Sequence, residues 1–249
     1  MPSTRAKSIA SSEIAQFSRH AQDWWNPDGA FRPLHQLNPV RLEYVRDKAC
    51  AHFGRKTGRA ALKDLKILDV GCGGGLLAEP MARLGGNVTG IDASKETIVC
   101  AARHAKEGDL AIDYRVSSVE ELARKKIRYD LITALEVAEH VADMDSFVAS
   151  LAMLLKPGGL LIMSTLNRTP QSFLLGIVAA EYILGWVPRG THQWNKFIRP
   201  SELAEKLEAK NLCVDDLTGF VFNPLTGAFE LRKGELGVNY LLTAVIKCR

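Results

Sequence analysis

The segment Leu68-Asp69-Val70-Gly71-Cys72-Gly73-Gly74-Gly75 decides the fold of this chain. It continues an apolar run, residues 66–70, that predicts a strand, and it precedes an amphipathic stretch, residues 76–84, that predicts a helix. Glycines at such a turn let the backbone pass close beneath a ligand, where a Cβ atom would clash. The segment therefore predicts a nucleotide-type site at the first strand of an α/β sheet.

The spacing of these glycines separates classes of nucleotide site. A dinucleotide fingerprint that starts at Gly71 needs its third glycine at position 76, which is Leu76, whereas Gly75 comes one residue early. No Gly-Lys-Ser/Thr follows, so a P-loop is excluded. Asp92, at the end of the second predicted strand, could accept hydrogen bonds from two ribose hydroxyls. The pattern D-x-G-x-G-x-G resembles the first motif of class I S-adenosylmethionine-dependent methyltransferases, and this resemblance favours a methyl-donor site. The alternatives are a dinucleotide site and a plain tight turn with a helix-capping Asp92.

Outward from this turn, short apolar runs alternate with amphipathic segments, which indicates one α/β domain with helices on both faces of a mostly parallel sheet. Further strands are expected at 87–91, 112–116, 129–135, 160–165, 212–222 and 239–248. Helices are expected at 11–25, from Asn38 to about Arg55, and at 94–106, 140–155 and 201–210, and a capping box of Ser118 and Glu121 is expected to open a further short helix. We expect the last two strands to be antiparallel partners at one edge, joined by the turn 223–227.

Composition excludes several classes of protein. The chain has 249 residues, 47% hydrophobic content and a net charge of +4, which is too small a surplus to predict a nucleic-acid partner. Its five cysteines form neither a C-x-x-C pair nor a zinc-type cluster, so we expect free thiols in a reducing compartment. The N-terminal segment lacks the apolar core of a signal peptide, and no uncharged run reaches the ~18 residues of a membrane span. These features predict a cytoplasmic protein.

A second group of polar residues follows the strand 129–135. Glu136, Glu139 and His140 would face the same way if this turn is helical, because they are spaced i, i+3 and i+4. Two carboxylates and an imidazole could bind a divalent cation such as Mg²⁺ that lowers the pKa of a phenolic hydroxyl. Alternatively, His140 alone could act as a general base assisted by a carboxylate such as Glu136. A solvated helix start, with acids favoured by the helix dipole, is the third interpretation.

The insertion 167–200 contains an apolar stretch, Phe173–Val187, with Glu181 as its one charged residue. The stretch is too short to span a bilayer. Four basic residues against one acid give the insertion a net charge of +3, which suits an element lying at an anionic membrane surface. The alternative is a lid helix packed on the core, and both can hold together.

Several segments together resemble the ubiquinone biosynthesis O-methyltransferases, a family of class I S-adenosylmethionine-dependent methyltransferases. The resemblance covers residues 11–246 and includes the glycine motif and the motif Leu135-Glu-x-x-Glu-His140. It includes Trp24-Trp-Asn26, Phe31-Arg-Pro-Leu-His35, Asn38-Pro-Val-Arg-Leu42, Lys156-Pro-Gly-Gly159, Ser164-Thr-Leu-Asn-Arg168, Ala180-Glu-Tyr-Ile-Leu184, Val187-Pro-Arg-Gly-Thr-His192, Lys196-Phe-Ile-Arg-Pro200, Gly219-Phe-Val-Phe-Asn-Pro224 and Val238-Asn-Tyr240. The segments around 24–42 and 164–200 are the specific ones.

This resemblance implies a seven-stranded methyltransferase sheet whose last strand is antiparallel. It implies methylation of catechol-type hydroxyls on polyprenylated rings at two steps, with acceptors of the 2-polyprenyl-6-hydroxyphenol and 3-demethylubiquinol types. The donor would be held by Arg41, Asp69, Gly71, Gly73, Gly75, Asp92 and Leu135, the last where many members have Met. It also implies an enzyme peripheral to the inner membrane, with a place in a ubiquinone biosynthesis complex. A non-prenylated phenol as acceptor, or a non-catalytic scaffold that binds the donor, are the alternatives.

Overall fold

A computed structural model of the chain describes residues 23–29, 31–175, 177 and 193–246. The strands are β1 Lys66–Val70, β2 Asn87–Asp92, β3 Asp113–Val116, β4 Tyr129–Leu135, β5 Leu155–Leu166, β6 Leu212–Asn223, β7 Ala228–Lys233 and β8 Asn239–Ile246. The helices are α1 Arg32–His52, α2 Ala78–Arg83, α3 Lys95–Glu107, α4 Val119–Ala123, α5 Met144–Leu154, the single turn α6 Pro170–Ser172, and α7 Pro200–Glu208. Two 3₁₀ turns lie at Ala138–His140 and Trp194–Lys196.

The strands of this part of the chain form one sheet in the order β3-β2-β1-β4-β5-β8-β6-β7. The pairs among β1 to β5 are parallel, and β8 is antiparallel to both β5 and β6. The chain adds β2 and β3 on one side of β1 and then crosses over to add β4 on its other side. Open α/β sheets bind ligands at such a switch point, beyond the carboxyl ends of their strands. The α/β class, the mostly parallel sheet and the antiparallel last strand are confirmed.

The edge of the sheet differs from the sequence-based expectation. The turn 223–227 joins β6 to β7, a strand that the sequence did not predict, so the sheet has eight strands instead of seven. Half-buried and exposed residues fill β7, so it carries little of the apolar signal by which strands are recognised. The strand β8 pairs antiparallel with β6 as expected, but it lies inside the sheet, between β5 and β6.

Two helix starts were also misplaced. The helix α1 begins at Arg32, with Pro33 in its first turn, and Pro39 lies within it. Asn38 therefore caps nothing; its side-chain amide donates to the carbonyl oxygen of Leu76 at 2.6 Å. The helix α5 begins only at Met144, capped by Asp143, whose carboxylate accepts from the Ser146 backbone N–H at 3.0 Å. The capping box of Ser118 and Glu121 is confirmed at the start of α4.

The core lies on both faces of the sheet, as parallel strands between helices require. One buried cluster joins the sheet to α4, α5 and α7, and a second joins it to α1 and α2. Within the described ranges, Cys50, Cys72, Cys100 and Cys213 are free thiols, as expected. Of the predicted helix 11–25 only residues 23–25 are described, and most of the stretch 173–187 also lies outside the described residues. No helix that the structure describes has the length and apolar character to cross a membrane.

Candidate methyl-donor site

The glycine turn after β1 adopts the tight geometry that its sequence predicts. Gly71 has φ +66° and Gly73 has φ +54°, values that side chains other than glycine rarely adopt. A Cβ on Gly71 would lie 2.5 Å from a methyl carbon of Val137, and one on Gly73 would collide with the ring of Trp24. Gly75, also at positive φ, backs onto the side chain of Tyr114. Bare backbone is therefore required at this turn.

Asp92 links the end of β2 to the glycine turn. Its carboxylate accepts a hydrogen bond from the backbone N–H of Gly73 at 3.2 Å and another from that of Ser94 at 2.8 Å. Burial raises the pKa of Asp92, while the backbone N–H bonds act in the opposite direction. An ionised carboxylate has about four lone-pair sites, so Asp92 can hold the turn and still accept bonds from two ribose hydroxyls.

A pair of buried opposite charges lies on the other side of Gly71. Asp69 accepts a hydrogen bond from the Thr133 hydroxyl at 2.7 Å, but its second oxygen has no partner among the described residues. Burial raises the pKa of Asp69 to about 7, and Thr133 and the positive charge of Arg41 hold it below what burial alone would give. Buried Arg41 likewise leaves Nε and Nη2 without a hydrogen bond in the part of the chain described. An amino acid moiety, with one carboxylate and one ammonium group, would satisfy both residues.

Leu135 and Glu136 end β4 beside β5. Leu135 pairs with Ser164 in the parallel register and is half-buried, so it offers an apolar contact at the sheet edge. Glu136 has φ +55°, a strained value for a residue other than glycine that is often found at functional sites. Ser164 fixes it, since its hydroxyl donates to Glu136 Oε1 at 2.7 Å and accepts from the Glu136 backbone N–H at 3.1 Å. The same Oε1 lies 3.4 Å from Nη2 of Arg41, so Glu136 is connected to the donor side of the site.

Glu139 is held separately. Its carboxylate accepts a hydrogen bond from the Thr165 hydroxyl at 2.8 Å and is fully buried. Burial, reinforced by the negative charge of Glu136, raises the pKa of Glu139 to about 7, and the charge of His140 counteracts this rise. Since Ser164 and Thr165 are consecutive residues of β5, their side chains point to opposite faces of the sheet. The carboxylates of Glu136 and Glu139 are thus held by the hydroxyls of two different residues of β5.

The turn after β4 is not the helical turn assumed for Glu136, Glu139 and His140. The left-handed conformation of Glu136 breaks that turn at its first residue. Glu136 is engaged by Ser164 and Arg41, and Glu139 by Thr165. Across the described residues, no three His, Cys, Asp or Glu side chains come together in a way that could hold a metal ion. The metal-binding role of Glu136, Glu139 and His140 stays a prediction.

The hydroxyl residues that fix the acids were missed by sequence reasoning. Thr133, Ser164 and Thr165 are fully buried in strands that otherwise consist mostly of apolar residues. Buried hydroxyls need partners, so a hydroxyl in a buried strand near a sheet edge was the available signal. Ser164 was noted only as part of a family segment, because its partner is 28 positions away.

An aromatic cluster covers the glycine turn. The indole of Trp24 stacks on Phe31 with ring centroids 3.8 Å apart and an interplanar angle of 7°. Trp25 donates from Nε1 to the carbonyl oxygen of Gly74 at 3.0 Å and stacks on His104. The segment upstream of α1 is thus attached to the turn by packing and by a hydrogen bond, although sequence reasoning assigned it no role in the site.

The amino-acid sequence is similar to those of known methyltransferases. Residues 42–217 match the family model of a methyltransferase domain. A ubiquinone biosynthesis O-methyltransferase of Chelativorans sp. (strain BNC1) is 50% identical over 245 residues, which cover 98% of this chain and 96% of that protein. The enzyme of the same name from Mesorhizobium japonicum is 48% identical, with 98% of each chain covered.

Solved structures support the fold. The magnesium protoporphyrin IX methyltransferase of Synechocystis PCC 6803, crystallised with bound SAH, aligns with a TM-score of 0.66 at 19% identity, covering 94% of this chain and 95% of that one. A methyltransferase structure from Thermotoga maritima aligns with a TM-score of 0.65 at 15% identity, covering 94% and 100%.

The fold and the site define an S-adenosylmethionine-dependent methyltransferase. Within this class, the two named relatives are 48–50% identical to this chain over 98% of its length. The chain therefore belongs to the ubiquinone biosynthesis O-methyltransferase family.

Proposed function

We propose that this enzyme transfers the methyl group of S-adenosylmethionine to catechol-type hydroxyls of polyprenylated intermediates at two steps of ubiquinone biosynthesis. The acceptors are of the 2-polyprenyl-6-hydroxyphenol and 3-demethylubiquinol types. The observation that carries the proposal is the 50% identity to a ubiquinone biosynthesis O-methyltransferase over 98% of the chain. The donor residues and the turn after β4 that family resemblance singles out are present in this chain, and they lie around one sheet edge.

The donor is positioned by two groups of residues. Arg41 and Asp69 would hold its carboxylate and ammonium groups, because both have buried polar atoms that make no hydrogen bond among the described residues. Asp92 would bind the ribose, and Leu135 would contact the apolar part of the adenosine or methionine. Gly71, Gly73 and Gly75 keep the backbone close enough for these contacts. Such alignment supplies most of the rate for a donor that is already activated as a sulfonium.

The chemical step then needs a phenolate. A phenol has a pKa of about 10 and is mostly protonated at neutral pH, so a base beside the acceptor accelerates the reaction. We assign this role to His140, whose imidazole takes the proton as the oxygen attacks the methyl carbon and the carbon–sulfur bond breaks. The products are the methyl ether and S-adenosylhomocysteine. The carboxylates at 136 and 139 would favour the imidazolium that forms.

The proposal routes no step through a divalent cation. Glu136 shares its carboxylate with Ser164 and Arg41, and the carboxylate of Glu139 accepts from the Thr165 hydroxyl, so both acids are already engaged within the protein. A cation at this turn would require Glu136 to leave both partners. The chelator arm of the experiment below tests this directly.

The acceptor is proposed to enter beside residues 173–175 and 194. Phe173, Leu174, Leu175 and Trp194 are large apolar side chains that are 39–57% exposed. Next to them lie Lys196 and Arg199, so the region combines apolar and positive surface, which suits the boundary of an anionic bilayer. A polyprenyl tail is confined to the bilayer, so an enzyme peripheral to the inner membrane, alone or within a ubiquinone biosynthesis complex, would meet its substrate there.

One experiment tests the activity, the acceptor and the cation together. The full chain is incubated with methyl-labelled S-adenosylmethionine and either a short-chain prenylated catechol or the same catechol without its prenyl group, each with and without EDTA. We expect label transfer to the prenylated catechol at a kcat/KM at least 10-fold higher, unchanged by EDTA. Equal rates with both acceptors would indicate a methyltransferase of simple phenols. Binding of the donor without transfer to either acceptor would indicate a scaffold.

A further inference from the structure

The indole of Trp24 occupies an unusual position against the glycine turn. Its six-membered ring lies where a Cβ on Gly73 would point, and its Cβ and Cγ lie 2.6 Å from the corresponding position on Gly74. The long axis of the indole thus runs along the two glycines, and Phe31 stacks on it at 3.8 Å.

The edge that carries Nε1 is buried and chemically unsatisfied. Trp24 is 7% exposed, and its Nε1 has no hydrogen-bond partner among the described residues. The neighbouring Trp25 differs, because its Nε1 donates to the Gly74 carbonyl oxygen at 3.0 Å. A buried N–H without a partner is destabilising, and buried indole N–H groups usually find an acceptor. The N–H therefore remains available, among the described residues, for an acceptor on a bound ligand.

The position of this N–H identifies the acceptor by its chemistry. The Trp24 ring lies on the side of Gly73 where a Cβ would point, and the backbone N–H of Gly73 donates to the carboxylate of Asp92 at 3.2 Å. Asp92 is the carboxylate placed to bind ribose hydroxyls, whereas Arg41 and Asp69 suit the amino acid end of the donor. An oxygen presented beside Gly73 therefore belongs to the ribose.

We infer that Trp24 is a donor-binding residue whose indole N–H donates a hydrogen bond to a ribose oxygen of the bound cofactor. The ring of Trp24 closes the glycine turn from above, while Phe31 holds the ring in its orientation. This inference concerns the donor only, so it stands or falls independently of which acceptor the enzyme methylates.

The test compares Trp24→Phe with the matched control Trp25→Phe by calorimetric titration with S-adenosylhomocysteine and with 5′-methylthioadenosine, which has the ribose but lacks the amino acid moiety. We expect Trp24→Phe to raise the Kd of both ligands by about 3- to 10-fold, the effect of one hydrogen bond. The Tm of the ligand-free protein should not fall through loss of that N–H, because it bonds none of the described residues. Trp25→Phe should lower the Tm, since it breaks an internal hydrogen bond.

A second variant separates the N–H from the ring. Replacing the indole at position 24 by its benzothiophene isostere keeps the size and stacking of the ring and removes only the donor. The same 3- to 10-fold rise in Kd is expected. An unchanged Kd for the isostere would overturn the inference, and so would a rise confined to S-adenosylhomocysteine, which would place the contact on the amino acid end. If the unsubstituted enzyme bound neither ligand, the donor site itself would be wrong.

Discussion

The donor side and the acceptor side of this enzyme are built in different ways. Around the carboxyl ends of β1, β2 and β4, buried charges and glycines are fixed by hydrogen bonds within the protein, such as those of Asp92 with Gly73 and Ser94. Around residues 173–175 and 194, large apolar groups such as Phe173 and Leu174 are about half exposed. The first region is buried and held by internal hydrogen bonds, whereas the second exposes apolar side chains.

The difference reflects the two ligands. A donor that is small, charged and always the same can be bound by a preorganised polar site, because each of its groups has a fixed partner. An acceptor with a long apolar tail needs surface that remains compatible with lipid, and exposed apolar side chains provide it. The turn at 136–140 lies between the two regions, so variants there and on either side should separate their contributions.

The largest effect is expected at the boundary between the two regions. His140→Gln should lower kcat by about 10²- to 10⁴-fold, because it removes the base that accepts the phenolic proton. The Kd of S-adenosylhomocysteine should stay within about twofold, since the donor side is intact. His52→Gln is the matched control, because His52 bonds the Gly158 carbonyl oxygen at 2.9 Å and is exposed. A fall in kcat of less than fivefold would remove His140 from the mechanism.

A smaller effect is expected on the donor side alone. Asp92→Ala removes the acceptor of two backbone N–H bonds and of the ribose hydroxyls, and hydrogen bonds to a charged group contribute about 1.5–3 kcal/mol each. The Kd of S-adenosylhomocysteine should rise roughly 100-fold. Asp113→Ala is the control, since Asp113 is exposed and bonds only Arg115 among the described residues. Comparable losses in both variants would argue against a specific ribose contact.

The acceptor side should respond only to acceptors with a tail. The double variant Phe173→Ser with Leu174→Ser should raise the KM for a prenylated catechol about 20-fold and reduce co-sedimentation with anionic vesicles, because apolar area that contacts the tail and lipid is lost. Donor Kd should not change. Leu225→Ser is a suitable control, since Leu225 is 94% exposed on the hairpin between β6 and β7. If vesicle binding were the same in all three proteins, the membrane contact would lie elsewhere.

The smallest effect concerns pH. Burial raises the pKa of Asp69 to about 7, so below that pH the residue is mostly neutral in the empty enzyme and must lose a proton to pair with the donor's ammonium group. Donor affinity should therefore rise by about 10-fold between pH 6 and pH 8 and then level off. Asp69→Asn should bind more weakly and lose this slope. A slope that persists in Asp69→Asn would assign the titration to another group.

The contribution of Asp69 to the stability of the ligand-free enzyme should fall as pH rises, whereas donor affinity rises. A buried acid whose folded pKa is raised stabilises the protein fully below the unfolded pKa of about 3.9, and this contribution is lost as pH rises through about 7. The difference in Tm between Asp69→Asn and the unsubstituted protein should therefore shift in favour of the variant from pH 4 to pH 8. Saturating S-adenosylhomocysteine should reduce that shift, since the ligand's ammonium group compensates the carboxylate.

Prediction from sequence succeeded where the signal was local. The strand β4 was placed with its observed bounds, and the capping box at Ser118 was recognised, because both depend on neighbouring residues. It failed for β7, whose mixed burial gives no clear periodicity, and for the start of α1, where Pro33 rather than Pro39 occupies the first turn. The common face of Glu136 and Glu139 failed because it assumed helical backbone at a residue with φ +55°.

The amino-acid sequence by itself determined the α/β class, the glycine turn with its distal acid, and the family, since each of these is carried by residue types at fixed short spacing. Only the tertiary structure decided what each acid does. Ser164 and Thr165 lie 28 and 26 positions from the carboxylates they bind, and Trp24 reaches the glycine turn from upstream of α1. Hydrogen bonds and packing of this kind depend on strand register and on the face to which a side chain points, and these are fixed only when the sheet has formed.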